Sequence, residues 1–271
     1  TIVANKSAMK SFENSKTDFE IFSGLAKKLG FLESFTDNKS EMDWIKFIWD
    51  KSSKAYKKTY KESDLSLPSF EEFWEKGYFE VPAPRIEKIM FDKFRRDPSR
   101  FPLQTPSGKI EISSDTISSF QLPDCHSHPY WFEPYEWLGN VDEYPLHLIS
   151  NQPTHRLHSQ LDNAEMSQKN KIHGKEPVMI NSKDASDRDI KNGDIVLLYN
   201  ARGKVLAGAK ISDNIMPGVV VLSTGAWFDP DYDLNIERHG NPNVLTKDVG
   251  TSSLGQGPTC HTTLVELKKT S

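Results

Sequence analysis

Apolar residues in the first eighty positions recur every three or four residues. In "KTDFEIFSGLAKKLG", Phe19, Phe22, Leu25, Ala26 and Leu29 share one face. Thr17 or Asp18 stands at the N-cap and Gly30 at the C-terminal stop, so the spacing predicts a helix. "SEMDWIKFIWDKSSKAYKKTYK" repeats the pattern with Trp44, Phe47 and Ile48 on one side and Ser40 and Asp43 at its start. "SFEEFWEKGYFEV" is a third, shorter helix; Ser69 and Glu72 form a capping-box pair and Gly77 ends it.

After Val81 the pattern breaks. Prolines at 82, 84, 98, 102, 106, 123, 129 and 134 exclude long helices and predict an irregular connecting segment. Within it, "TPSGKIEISS" reads as a tight turn into an edge strand, and the aromatic "HPYWFEPYEW" as a stretch packed against another part of the protein. From Tyr144 the apolar positions change to short runs and alternation. "YPLHLIS" is a strand. "PVMINSKDASDRDI" is a strand and a helix capped by Ser182. "KNGDIVLLYNARGKVLAGAKIS" is a β-hairpin opened by Asn192-Gly193 and turned over Asn200–Gly203, "PGVVVLSTGAW" is a buried strand, and "CHTTLVELKK" closes the chain. Ile195, Val196, Leu197, Leu198, Val205, Leu206, Val219, Val220, Val221, Leu264 and Val265 form the expected core. About six strands with few long helices predict a barrel or sandwich from residue 142, preceded by a helical and connecting segment over 1–141.

Composition narrows the function classes. With 36% hydrophobic, 27% charged and 11% aromatic residues the chain is globular. No apolar run approaches the roughly 20 residues of a membrane-spanning helix. A net charge of −4 argues against dependence on nucleic-acid phosphates, and lysines 51, 54, 57, 58 and 61 read as a solvated helix face. Cys125 and Cys260 make neither a disulfide framework nor a zinc knuckle. The chain begins at Thr1 without a signal-peptide pattern, as a processed end or as a cut inside a longer protein.

Three segments carry the candidate chemistry: "SNQPTHRLHSQ", "TGAWFDP" and "HGNPNVLTKDVGTSSLGQG". Each adjoins a strand and is rich in Asn, Thr, Ser, Gln, Gly and Pro. Singly, such loops are ordinary turns. Three in one small β domain supply neutral donors and acceptors for a large polar heterocycle or a nucleotide. Arg156 can pair with phosphate through its fork, and the amides around Thr251–Gly257 can form an anion nest. His155 and His158 lack the frame of a zinc hydrolase. "CHSHP" at 125–129 lacks the second ligand cluster a metal site needs.

The blocks "LISNQPTHRLHSQLD", "EPVMINSKDASDRDIKNGDIVLLYNARGKVLAGAKISDNIMPGVVVLSTGAWFDP" and "HGNPNVLTKDVGTSSLGQG" resemble, in order, the C-terminal region of the dimethyl sulfoxide reductase family of molybdoenzymes. The branch they most resemble is that of the trimethylamine N-oxide and biotin sulfoxide reductases. The resemblance implies a mostly β, C-terminal double-psi β-barrel over 142–271 that closes on molybdopterin guanine dinucleotide with its molybdenum. It implies cofactor contacts at Ser150, Asn151, Thr154, Arg156, His158, Ser159, Gln160, Asn243, Thr251, Ser252 and Gln256, with no metal ligand and no catalytic residue in this chain. The chain then reads as a C-terminal fragment of an S- or N-oxide reductase, inactive alone, without bound cofactor, and partnered by the rest of its own polypeptide. The whole enzyme would draw electrons from a cytochrome-type donor, in the periplasm or the cytoplasm. Two other readings stand beside it. One is a double-psi barrel acting as a protein-binding module; the other is a molybdenum or tungsten enzyme such as a formate dehydrogenase or nitrate reductase.

Overall fold

Thr17 caps the first helix as its position predicts: its hydroxyl accepts from the Glu20 amide at 3.3 Å, and Glu20 Oε2 accepts from the Thr17 amide at 2.8 Å. The computed structural model describes residues 1–59, 67–81 and 89–270; Lys61, Pro82 and Pro84 lie outside the described residues. Two compact units divide the chain, Thr1–Arg96 and Asp97–Ser271.

In the first unit, strand β1 (Ile2–Val3) is followed by helices α1 (Asp18–Lys28), α2 (Leu32–Thr36), α3 (Glu41–Thr59) and α4 (Phe70–Lys76), strand β2 (Tyr78–Phe79) and helix α5 (Asp92–Arg96). Ser40 and Asp43 cap α3 reciprocally, and Ser69 and Glu72 form the capping box of α4, which Gly77 ends in the left-handed region. Helix α2 is too short to show a period, and so was invisible to the spacing. β1 and β2 pair antiparallel. The unit's core gathers Trp49, Leu67, Phe70 and Phe73, with the Trp49 and Phe73 rings stacked 3.8 Å apart. Of the predicted apolar face of α1, Ala26 is buried, whereas Phe22, Leu25 and Leu29 are exposed.

The second unit begins with irregular chain around helix α6 (Asp115–Ser119). The turn predicted at "TPSGK" exists, closed by Gly108 N–H to Thr105 O and Leu103 N–H to Gly108 O. The edge strand after it does not form: Ile110 and Ile112 are exposed, and no ladder partner occurs among the described residues. The aromatic stretch is also a correction, since Tyr130, Trp131, Phe132 and Tyr135 are exposed. Its rings meet each other and His126, which stacks on Phe132 at 5.3 Å. Glu136 fastens this segment to the barrel by a two-point pair with Arg202 (2.7 and 2.9 Å), an ion pair with Lys247 (3.0 Å) and a bond from the Leu264 amide (2.8 Å).

The rest comprises β3 (Leu146–Ile149), α7 (Glu165–Lys169), β4 (Pro177–Ile180), α8 (Ser182–Ser186), β5 (Ile195–Tyr199), β6 (Lys204–Ile211), β7 (Val219–Leu222), β8 (Pro230–Asp231), β9 (Ile236–Glu237) and β10 (Leu264–Lys269). Six strands close into a barrel in the order β4-β7-β3-β10-β5-β6, with β6 returning to β4. The pairs β3–β7 and β4–β6 are parallel, and the other four joints are antiparallel. Starting from the β4–β7 joint, the ring therefore reads the same in both directions, the pseudo-twofold arrangement of a double-psi β-barrel. Two short strands, β8 and β9, are appended to β6 through Val205 and Glu237.

The core takes alternate residues of most strands, including Leu146, Leu148, Val178, Ile180, Val196, Leu198, Val205, Ala207, Leu222, Val265 and Leu267. Ile195, Leu197 and Leu206, expected inside, are half-buried because their strands alternate between faces. All four residues of β7 are buried. Asn181 rather than Ser182 caps α8, its side chain accepting from the Lys183 amide at 3.0 Å; the Ser182 hydroxyl turns to Asp213.

Candidate functional site

The loop after β3 folds around Arg156, whose side chain is wholly covered. Nε donates to His158 O (3.1 Å), Nη1 meets His155 Nε2 (3.0 Å), and Nη2 reaches Thr224 O (3.1 Å) and Glu176 Oε1 (3.0 Å). The guanidinium thus ties the first loop to the loop after β7 and to the approach to β4. This corrects the expectation of a phosphate-binding fork: the donors are directed inward, onto acceptors that have lost their water.

Arg156 belongs to a buried charge cluster. Lys171 Nζ donates to Asp162 Oδ1 at 2.8 Å, stands 2.6 Å from His239 Nε2, and is 3.7 Å from Glu176 Oε2. Burial would raise the Asp162 carboxyl, but the hydrogen bonds from Lys171 and the Trp227 amide and the charge of Lys171 outweigh it and hold it below the usual carboxylate range. Glu237 is buried with no cationic partner in hydrogen-bond contact among the described residues. Its Oε1 accepts the amides of Asp229 (3.1 Å) and His239 (3.0 Å), and its Oε2 those of Gly240 and Asn241 (both 2.8 Å). Four amides around one carboxylate set the third loop.

Three loops consequently converge on an open cleft of about 430 Å³. It is lined by His158 and Ser159 from the first loop, Thr224–Phe228 from the second, and Asn241 and Asn243 from the third. The first two touch so closely that a Cβ at Gly225, where φ is +96°, would lie 2.0 Å from His158 O. Glycine is required there. A neighbouring cleft of about 570 Å³ uses the same two loops through Asn151–His155 and Ser223, and adds Lys169, Lys171 and Lys210. A third, of about 340 Å³, is lined by Asp142, Glu143 and the Glu136–Arg202 pair, and takes nothing from the three loops.

Of the residues singled out in the sequence, His158, Ser159 and Asn243 line the first cleft, and Asn151 and Thr154 the second. Asn151 also braces the second loop, its carbonyl accepting from Thr224 N–H and its side chain from the Ser223 hydroxyl. Ser150 Oγ is buried without a hydrogen-bond partner among the described residues. Gln160 is exposed on the Leu157–Gln160 turn. Thr251, Ser252 and Gln256 form a turn closed on itself. The amides of Thr251, Gly255, Gln256 and Gly257 all find acceptors within it, and Ser253 N–H donates to Asp124. Five amides so engaged make no anion nest, a second correction. Sequence reasoning missed Asp162, Lys171, Glu176, Trp227, Glu237 and His239. Charged residues set among turn-formers, as in "NKIHGKEP" and "IERHGNPN", were the available signal.

The cleft's fit to a pterin dinucleotide can be judged from these residues. Its lining is rich in neutral polar groups and aromatic rings, suited to a flat polar heterocycle, and the adjoining cleft supplies Lys169 and Lys210, Lys171 being held in the charge cluster. The fit holds.

Comparison with known proteins agrees. The family described as "Molydopterin dinucleotide binding domain" matches residues 146–264. The chain is 46% identical to a trimethylamine-N-oxide reductase of Salmonella typhi, over 99% of this chain and 32% of the relative. It is 42% identical to a biotin sulfoxide reductase of Cereibacter sphaeroides, over 98% and 35%. Among solved structures, acetylene hydratase from Pelobacter acetylenicus shares the fold at 16% identity, with a TM-score of 0.68 over 94% of this chain and 33% of that one. The chain spans about a third of the length of the curated relatives it matches. Residues 146–264 thus match a molydopterin dinucleotide binding domain, and the chain as a whole is similar to about a third of the length of the trimethylamine-N-oxide and biotin sulfoxide reductases.

Proposed function

We propose that the barrel unit is the part of a molybdenum-dependent S- or N-oxide reductase that closes over molybdopterin guanine dinucleotide. The observation that carries this reading is the cleft at His158, Ser159, Trp227, Asn241 and Asn243, built by three loops that a buried charge cluster holds together. When bound, the cofactor supplies the two-electron chemistry by which an oxide loses its oxygen. The residues of this chain bind and orient. His158, Ser159 and Asn243 offer polar groups in the cleft, Asn151 and Thr154 offer theirs in the neighbouring one, and Ser150 and Gln160 lie on the same loop outside both linings. Thr251, Ser252 and Gln256 form a braced turn after it, and Arg156 acts by shaping the loop. Electrons would come from an external donor such as a cytochrome, and trimethylamine N-oxide, biotin sulfoxide or dimethyl sulfoxide is the acceptor class.

A chimera tests this. The corresponding C-terminal part of a trimethylamine-N-oxide reductase is replaced by this chain, and bound molybdenum and oxide-dependent oxidation of reduced viologen are measured. A molybdenum-loaded, active chimera is expected; a soluble, folded chimera without molybdenum overturns the reading.

A further inference from the structure

Trp227 is half-exposed, yet it is held at three points. Its amide donates to Asp162 Oδ2 (3.1 Å), its carbonyl meets His239 Nδ1 (2.9 Å), and its indole Nε1–H donates to Ser159 O (2.8 Å). A tryptophan filling a core would be covered. One that merely decorates a surface would not lock its indole N–H onto another loop. This residue has its polar atoms satisfied and its ring left partly open on the cleft, beside Phe228 and among His158, Asn241 and Asn243. A ring fixed in advance loses little side-chain freedom when another flat ring lies against it.

His239 directs this arrangement. The Lys171 ammonium has only hydrogens to offer, so His239 Nε2, 2.6 Å away, must be the acceptor. The ring proton is then on Nδ1, where it donates to Trp227 O. Asp162 closes the circuit by accepting from both Lys171 and the Trp227 amide.

We propose that Trp227 is the stacking platform of this cleft, receiving the face of a 2-amino-4-oxo-pyrimidine-fused ring, and that His239 is its positioning residue. Such a ring is common to pterins and guanine. The proposal rests on the cofactor reading above and adds to it the residue that takes the ring. The absence of lysine and arginine among the residues lining this cleft favours the ring over the phosphates, and the polar rim suits its lactam and amino edge.

The test is titration of the 271-residue chain with 6-hydroxymethylpterin and, separately, with guanosine monophosphate, followed in the indole N–H region of a ¹H–¹⁵N spectrum. The chain has six tryptophans, and Trp227→Phe identifies the signal by its loss. A saturable upfield shift of that signal is expected with one of the two ligands, and the responding ligand shows which end of the cofactor the platform takes. Affinity should fall about tenfold in Trp227→Ala and stay within about threefold in Trp227→Phe, as expected for stacking. His239→Ala should weaken binding and disperse the indole signal, and His239→Asn, which keeps an N–H donor, should restore both. Unchanged affinity in a folded Trp227→Ala chain overturns the platform and leaves the cofactor reading intact. Absence of saturable binding of either ligand to the unaltered chain overturns both.

Discussion

Lys171 Nζ and His239 Nε2 meet 2.6 Å apart, although 68 residues separate them in the chain. Lys171 leads into β4 and His239 follows β9, so the contact joins two of the segments that shape the cleft. With Asp162 and Glu176 it draws residues of three segments, the loop after β3, the approach to β4 and the loop after β9, into one small volume. Such a cluster specifies one arrangement of the loops more than it adds stability, because each charge has given up its water.

Arg156→Ala should therefore act first on folding. It leaves Glu176 Oε1 without its closest cation and removes the bonds to His158 O and Thr224 O. Breaking a buried pair from one side costs about 3–5 kcal/mol. Urea unfolding of the chain should show a loss of that size; a loss below about 1 kcal/mol would mean that the guanidinium is free to serve a ligand.

Gly225 and Gly193 separate backbone strain from close approach. Both have positive φ, +96° and +92°, but a Cβ at Gly193 would meet nothing within 4 Å, whereas at Gly225 it would strike His158 O. Gly193→Ala should cost about 1–2 kcal/mol, the penalty of a left-handed conformation. Gly225→Ala should cost clearly more, because two loops must part. Equal costs in denaturant titration would show that the loops are not in contact there.

Glu136 makes the connecting segment sensitive to acid. Burial would raise its carboxyl, but Arg202, the Leu264 amide and Lys247 lower it from 4.5 to about 2. The folded value lies below the unfolded one, so the carboxylate form favours the folded protein. That contribution is fully present above the unfolded value and is lost as pH falls from about 4.5 toward about 2. The stability difference between the chain and Glu136→Gln should be constant near neutrality and shrink across that window. A difference that persists unchanged at pH 2 would assign the effect to packing.

The parts of this structure legible in the sequence are those governed by neighbours in the chain. Ser69 and Glu72 cap α4 from three residues apart, and Asn200–Gly203 turns the hairpin between β5 and β6. The misses involve distant partners. Ile110 and Ile112 look like strand residues but have no ladder to join among the described residues. Arg156 sits among loop-forming residues and reads as a free phosphate ligand, because Glu176 and Thr224, its acceptors, lie 20 and 68 residues away. Trp227 went unremarked because its sequence neighbours show neither its exposure nor the three bonds that hold it. The candidate loops were visible by composition. Their division into a neutral cleft, a lysine-bearing cleft and a self-closed turn depends on tertiary contacts.

Hydrogen exchange, with and without molybdopterin guanine dinucleotide, tests the central claim most directly. In the free chain the exposed turn 251–257 should exchange far faster than Val196–Leu198, whose strand is paired on both sides. On adding the dinucleotide, amides of 156–160, 224–228 and 241–245 should slow at least about tenfold while 195–198 stay as they were, because the ligand closes the cleft without altering the barrel. If the dinucleotide binds and those three loops exchange at their free rates, the cleft is not where the cofactor lies.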